Sequence, residues 1–120
     1  MTDDIDKSLS LYVKAVLEKK SIDPVVLDLR GLTSIADFFI ICSASSNRQA
    51  MAIAEFIKTD LKKHGIKPVG IEGVKEGRWV LINYGHVIIH IFYEPLRSFY
   101  DIEGLWIDAK RINTETFIDS

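Results

Sequence analysis

Five consecutive apolar residues, Phe38-Phe39-Ile40-Ile41-Cys42, constrain this chain more than any other feature. The run has no polar alternation, and a strand of that kind suits a position covered on both faces. Covering both faces of a sheet calls for a layered α/β architecture. The sequence that follows supports this. Ser46-Asn47-Arg48-Gln49 fits a helix-starting capping box. Ala50, Ile53, Ala54, Ile57 and Leu61 then recur at helical spacing, and Gly65 suits the C-terminal cap. A strand–helix–strand crossover of this length predicts a parallel strand pair with a right-handed connection.

The remaining elements follow from the same reasoning. Ile5, Leu9, Tyr12, Val13, Val16 and Leu17 form one stripe of an N-terminal helix, with Asp3, Asp4 and Asp6 at its positive end and Lys19 and Lys20 at its negative end. Val25 to Leu29 reads as a strand, and Asp37 to Ser43 as the next. Pro68 to Glu72 is a third, with Pro68 tolerable only at its start or on an edge. Arg78–Asn83 and His86–Phe92 form an antiparallel hairpin around Tyr84-Gly85. From Glu94 onward no period is visible, so a turn or short helix followed by irregular chain is expected. The order α-β-β-α-β-β-β predicts an α/β single-domain mixed β-sheet of about five strands with flanking helices, spanning residues 1–120. With 48% apolar residues a core forms without disulfides, and the lone Cys42 is expected as a buried, inert thiol.

The hairpin carries two unlike faces. With a two-residue turn at Tyr84-Gly85, Asn83 faces His86, Leu81 faces Ile88 and Trp79 faces His90. The opposite face pairs Ile82 with Val87, Val80 with Ile89 and Arg78 with Ile91, and is the evident core face. The first face holds Trp79, His90 and Phe92 among Asn83 and His86. It is either a second, smaller core covered by Phe99, Tyr100, Leu105 and Trp106, or a binding patch of the aromatic kind found at interface hot spots. Both hold if the tail forms the rim of the patch.

No chemistry-bearing constellation stands out. His86 and His90 lie ~13 Å apart along a strand, too far to chelate one ion. Gly70, Gly73 and Gly77 precede no helix, and Ser43-Ala44-Ser45-Ser46 lacks both a Walker lysine and dinucleotide-binding glycines. The acidic pairs Asp4/Asp6 and Asp101/Glu103 lie off any confident strand, where two-metal phosphoryl transfer would want them. No catalytic residue, metal or cofactor is expected. The net charge of −2, with signs mixed along the chain, gives no general attraction for nucleic acid, although it leaves room for a local basic patch. No apolar stretch approaches the ~20 residues of a membrane span, and the acidic N-terminus lacks a signal-peptide core, so the cytoplasm is the expected compartment.

Taken in order, several segments match one family pattern. They are Asp37-Phe38-Phe39-Ile40-Ile41-Cys42-Ser43, Arg48-Gln49, Glu72-Gly73, Gly77-Arg78-Trp79-Val80-Leu81, Gly85-His86-Val87-Ile88-Ile89-His90-Ile91-Phe92 and Arg97-Ser98-Phe99-Tyr100-Asp101-Ile102-Glu103-Gly104-Leu105-Trp106. From about Val25 to Ala109 the chain resembles the ribosomal silencing factor, or iojap-like, family. The resemblance implies a nucleotidyltransferase-like fold without demonstrated transferase activity. It also implies binding to the large ribosomal subunit through its protein L-fourteen, steric obstruction of small-subunit joining, and lowered translation when nutrients are scarce. The partner-binding residues expected on that basis are Trp79, His90, Arg97, Tyr100, Asp101, Glu103, Leu105, Trp106 and Asp108. The aromatic ones would anchor, and the acidic ones would meet the basic side chains of a ribosomal protein.

The chain departs from the family pattern at Asn83-Tyr84-Gly85-His86, where aspartate is common, at Phe38 for tyrosine and at Ile102 for leucine. The rival reading is a divergent nucleotidyltransferase using Asp101, Glu103 or Asp108 on a metal. An open sheet edge or an exposed aromatic face would favour a homodimer.

Overall fold

The computed structural model describes the backbone of residues 2–117 and the side chains of residues 7–117. The expectations for Ile5, Asp3, Asp4 and Asp6 fall outside the described side chains. The elements run α1 (Thr2–Glu18), β1 (Ile22–Asp28), β2 (Phe38–Ala44), α2 (Asn47–Lys62), β3 (Gly70–Glu72), β4 (Trp79–Asn83), β5 (Val87–Tyr93), α3 (Glu94–Tyr100), α4 (Ile102–Leu105) and β6 (Lys110–Ile112), with a 3₁₀ turn at Thr114–Phe117. The six strands form one mixed sheet in the order β3-β4-β5-β2-β1-β6.

β2 occupies the middle because it is apolar on both sides. Every residue of it is buried, between antiparallel β1 and parallel β5. Its alternate side chains feed two separate cores. Phe38, Ile40, Cys42 and Ala44 pack beneath the helical layer, with Leu9, Tyr12, Val13 and Val16 of α1 and Ala50, Ile53, Ala54, Ile57 and Leu61 of α2. Phe39 and Ile41 face the other way, into a smaller core with Leu27, Ile88, Phe92, Ile102 and Ala109. The unbroken apolar run is therefore two interleaved stripes. Ser46 caps α2, accepting from the Gln49 amide at 3.0 Å, while the Gln49 side chain reaches back to Ser45. Gly65 takes the left-handed conformation that ends the helix, its N–H donating to the carbonyl of Lys62.

Several expectations are corrected. The crossover through α2 does not lay β3 beside β2. It carries the chain to the far edge, and the parallel partner of β2 is β5. β3 has only three residues and a half-exposed flank, so it cannot fill a central slot. The hairpin strands, apolar on both faces, take that place. Pro68 does precede this edge strand, where its missing N–H costs no ladder bond.

The hairpin register is shifted by two: Asn83 faces Ile88, Leu81 faces His90 and Trp79 faces Phe92. The turn is centred on Gly85-His86. Tyr84 and Val87 close it with a 2.9 Å bond, and the Asn83 side chain accepts from the Gly85 amide at 2.7 Å. A shift of two preserves parity, so both faces keep their assigned residues along the strands. His86 is the exception. As a turn residue it leaves the Trp79 face and stands edge-on to Tyr12, 3.5 Å from the Ser8 hydroxyl.

β1 begins at Ile22, with a bulge before Val25 where Asp23 takes a φ of 46°. The tail, expected to be mostly irregular, holds two short helices and a sixth strand. That strand, β6, pairs with β1 through Val26–Ile112, Leu27–Arg111 and Asp28–Lys110. Three residues are too few to show a period of two in sequence.

Candidate functional site

The second core is roofed by the tail, and its β-sheet floor is aromatic. Trp79 stacks on Phe92 at 4.9 Å and donates its indole N–H to His90 Nδ1 at 3.1 Å. Phe39 meets the His90 ring edge-on at 4.5 Å. Tyr100, from α3, lies on Trp79 at 4.8 Å, and Trp106 stands edge-on to Phe39 at 6.1 Å.

An indole N–H can only donate, so His90 Nδ1 accepts and the ring proton resides on Nε2. Nε2 is buried without a hydrogen-bond partner among the described residues. Burial pulls the His90 pKa down to about 4. The unfolded chain therefore takes up a proton near pH 6.5 that the folded chain refuses until about pH 4. The stability tied to neutral His90 is fully present above pH 6.5 and is lost as pH falls through that window, amounting to about 3 kcal/mol at its acid end. Urea unfolding between these pH values should show the slope, and His90→Gln should flatten it. A slope unchanged in the variant would contradict this assignment.

The roof segment is shaped by Asp101 and Arg97. Pro95 opens α3, where a missing N–H costs nothing. Asp101 takes a left-handed φ of 45°, ending α3 and starting α4 in one sharp corner. Its carboxylate accepts from the Gly104 amide at 3.2 Å. A Cβ at position 104 would collide with that carboxylate, which gives the glycine of the Asp101-Ile102-Glu103-Gly104 segment a physical reason.

Arg97 points inward, its side chain 13% exposed. It holds Glu103 through two bonds, at 2.9 and 3.2 Å. Its Nη1 reaches the Ser43 hydroxyl of β2 at 3.0 Å and the Asp23 carbonyl at 2.8 Å. Arg111 of β6 adds a 3.4 Å bond to Glu103. The Arg97 bond holds the Glu103 carboxyl below the usual range.

The sequence-predicted site residues thus divide. Trp79, His90, Tyr100 and Trp106 come together on one face. Arg97 and Glu103 are half-buried and paired with one another. They form an internal strut that pins α3 and α4 to the sheet. Asp101 holds its own corner through one carboxylate oxygen, and both it and Asp108 are exposed. Glu103 is clamped by two arginines and Asp101 faces a backbone amide, so these two carboxylates do not form an open pair for a metal. Among the described residues no group of three or more His, Cys, Asp and Glu could hold one. Cys42 is buried, and burial pushes its thiol up to about 12.

Phe99 and Leu105 do not cover the core: they are 77% and 76% exposed, and Ile107 is 76% exposed. Tyr100 is 44% exposed, so one ring face rests on Trp79 while the remainder meets solvent. Sequence reading placed Phe99 among the covering residues and passed over Ile107. The available signal was the crowding of Phe99, Ile102, Leu105, Trp106 and Ile107 into nine residues of a segment that has no period to bury them.

Comparison with known proteins bears on this geometry. The family model described as "Ribosomal silencing factor during starvation" matches residues 2–120. The ribosomal silencing factor RsfS of Halalkalibacterium halodurans is 41% identical over 110 residues, covering 92% of this chain and 94% of that protein. The one from Bacillus subtilis is 40% identical over 101 residues, covering 84% and 86%. Chloroplastic Iojap of maize is 35% identical over 113 residues, covering 92% of this chain and 49% of that protein. A crystal structure from Bacillus halodurans superposes with a TM-score of 0.80 at 36% identity, covering 90% of this chain and 98% of that one. With the family model reaching across both cores and the roof segment, and with relatives of this identity along nearly their full length, the chain belongs to the ribosomal silencing factor family.

Proposed function

We propose that this chain binds the large ribosomal subunit through the ribosomal protein L-fourteen and sterically blocks joining of the small subunit, repressing translation. It acts as a binding protein rather than a catalyst, in the cytoplasm, with no resident cofactor. The carrying observation is the exposed apolar set Phe99, Leu105 and Ile107, each more than three-quarters accessible, on a roof segment held by an internal ion pair. Large apolar side chains left in water beside a supported aromatic floor are what a protein partner desolvates. Tyr100 and Trp106 join the patch to that floor, and Asp101 and Asp108 border it with negative charge suited to a basic partner. Among the described residues no helix is long and apolar enough to cross a membrane.

Light scattering of purified subunits tests the reading. Saturating protein added to large subunits should slow and reduce joining with small subunits. An undiminished joining rate would overturn it.

A further inference from the structure

At the β6 edge of the sheet, a cleft of about 640 Å³ opens between α1, the end of β1 and β6. Lys7, Arg30, Lys110 and Arg111 line it, against the single carboxylate of Asp28. Arg30 grips that carboxylate with bonds of 2.9 and 2.8 Å, so the acid is already matched within the cleft. Arg111 is likewise engaged, by Glu103 at 3.4 Å, so Lys7 and Lys110 remain as an excess of positive charge in a chain whose net charge is −2. Lys7 and Lys110 come from separate elements, α1 and β6, and are exposed along an open rim, rather than converging on one buried point. That layout fits successive phosphates of a strand better than one small anion, which calls for convergent, partly buried donors.

We propose that this cleft contacts the phosphate backbone of ribosomal RNA. The proposal rests on the ribosome-binding reading above for its setting, while the cleft's chemistry stands on its own. The cleft adjoins the roof segment, since its Arg111 bonds Glu103 of α4. A factor docked on a ribosomal protein by its roof segment therefore presents the cleft to RNA neighbouring that protein. The contact adds affinity and orientation without reading sequence.

The test compares the wild-type chain with the Lys7→Gln/Lys110→Gln variant, both side chains being exposed and their replacement compatible with the fold, as melting curves verify. The dissociation constant for isolated large subunits is measured from about 50 to 200 mM salt. The slope of log affinity against log salt should become shallower in the variant by about 1 per lysine removed. A second arm titrates both proteins with large-subunit RNA stripped of protein: the wild-type chain should bind at low salt and the variant should bind less.

Equal slopes in the subunit assay together with equal RNA binding overturn the proposal. A changed slope without any binding to stripped RNA assigns the cleft to an acidic protein and overturns it too, as does saturable displacement of RNA by one equivalent of free nucleotide. If neither protein binds subunits, the ribosome-docking reading fails, and the RNA arm alone then decides the cleft.

Discussion

Replacing Arg97 with alanine should cost about 3 kcal/mol of folding stability and weaken large-subunit binding along with it. Arg97 and Glu103 are 13% and 17% exposed at the side chain, so their pairing resembles a buried bridge more than a surface one. Removing one partner of a buried pair leaves the other charge without compensation, at a cost of roughly 3–5 kcal/mol. Arg111 offers Glu103 a single 3.4 Å bond, which moderates the loss and sets the lower figure. The Ser43 hydroxyl and the Asp23 carbonyl lose their donor as well. Replacing both members, Arg97→Met with Glu103→Leu, should recover much of the stability, because the orphaned charge is gone. Urea unfolding of the wild-type chain and the two variants measures this. A loss under about 1 kcal/mol in Arg97→Ala would class the bridge with ordinary surface pairs and remove the support proposed for the roof segment.

The Phe99→Ser/Leu105→Ser variant should lose at least about 30-fold in affinity for large subunits while keeping its fold. One hot-spot side chain is worth about 2 kcal/mol, and every 1.4 kcal/mol is tenfold. Both residues are more than three-quarters exposed, so their truncation costs little in the folded chain. Trp106 is a poorer probe despite its size. It stands on Phe39 at the edge of the second core, so truncating it removes core contacts and patch contacts together. Tyr100 has the same double role through Trp79.

The fold was legible where the pattern was long. The run Phe38–Cys42 declared a central strand, Ser46 and Gln49 declared the start of α2, and the parity of the hairpin separated Val80, Ile82, Ile89 and Ile91 from Trp79, His90 and Phe92. What escaped was short or non-local. β6 offers three residues and no period. β5 takes the parallel slot beside β2 because β3 is too short for it, a competition between strands that no single segment reveals. The turn moved by one residue at each strand because the Asn83 side chain and the conformation of Gly85 suit a Gly85-His86 centre, and this carried His86 to the other side of the sheet.

Which side chains share the aromatic face was legible in the sequence, but what each does there was not. Trp79, His90, Tyr100 and Trp106 do share a face. Arg97 and Glu103, drawn from the same motif, serve its architecture, since one guanidinium satisfies acceptors from β1, β2 and α4 together. Of the solvent-facing residues, Phe99 reads in sequence only as cover, in one of two open accounts of the face, and Ile107 enters neither. Burial of a charge pair and exposure of an aliphatic side chain are both tertiary facts, and each inverts what residue type alone suggests.

The central claim is that the exposed roof residues dock on the large subunit. Its most direct test is the dissociation constant of the Phe99→Ser/Leu105→Ser variant for isolated large subunits, measured beside its melting curve. The account predicts affinity lowered by at least about 30-fold with melting temperature essentially unchanged. Wild-type affinity in a fully folded variant would contradict it.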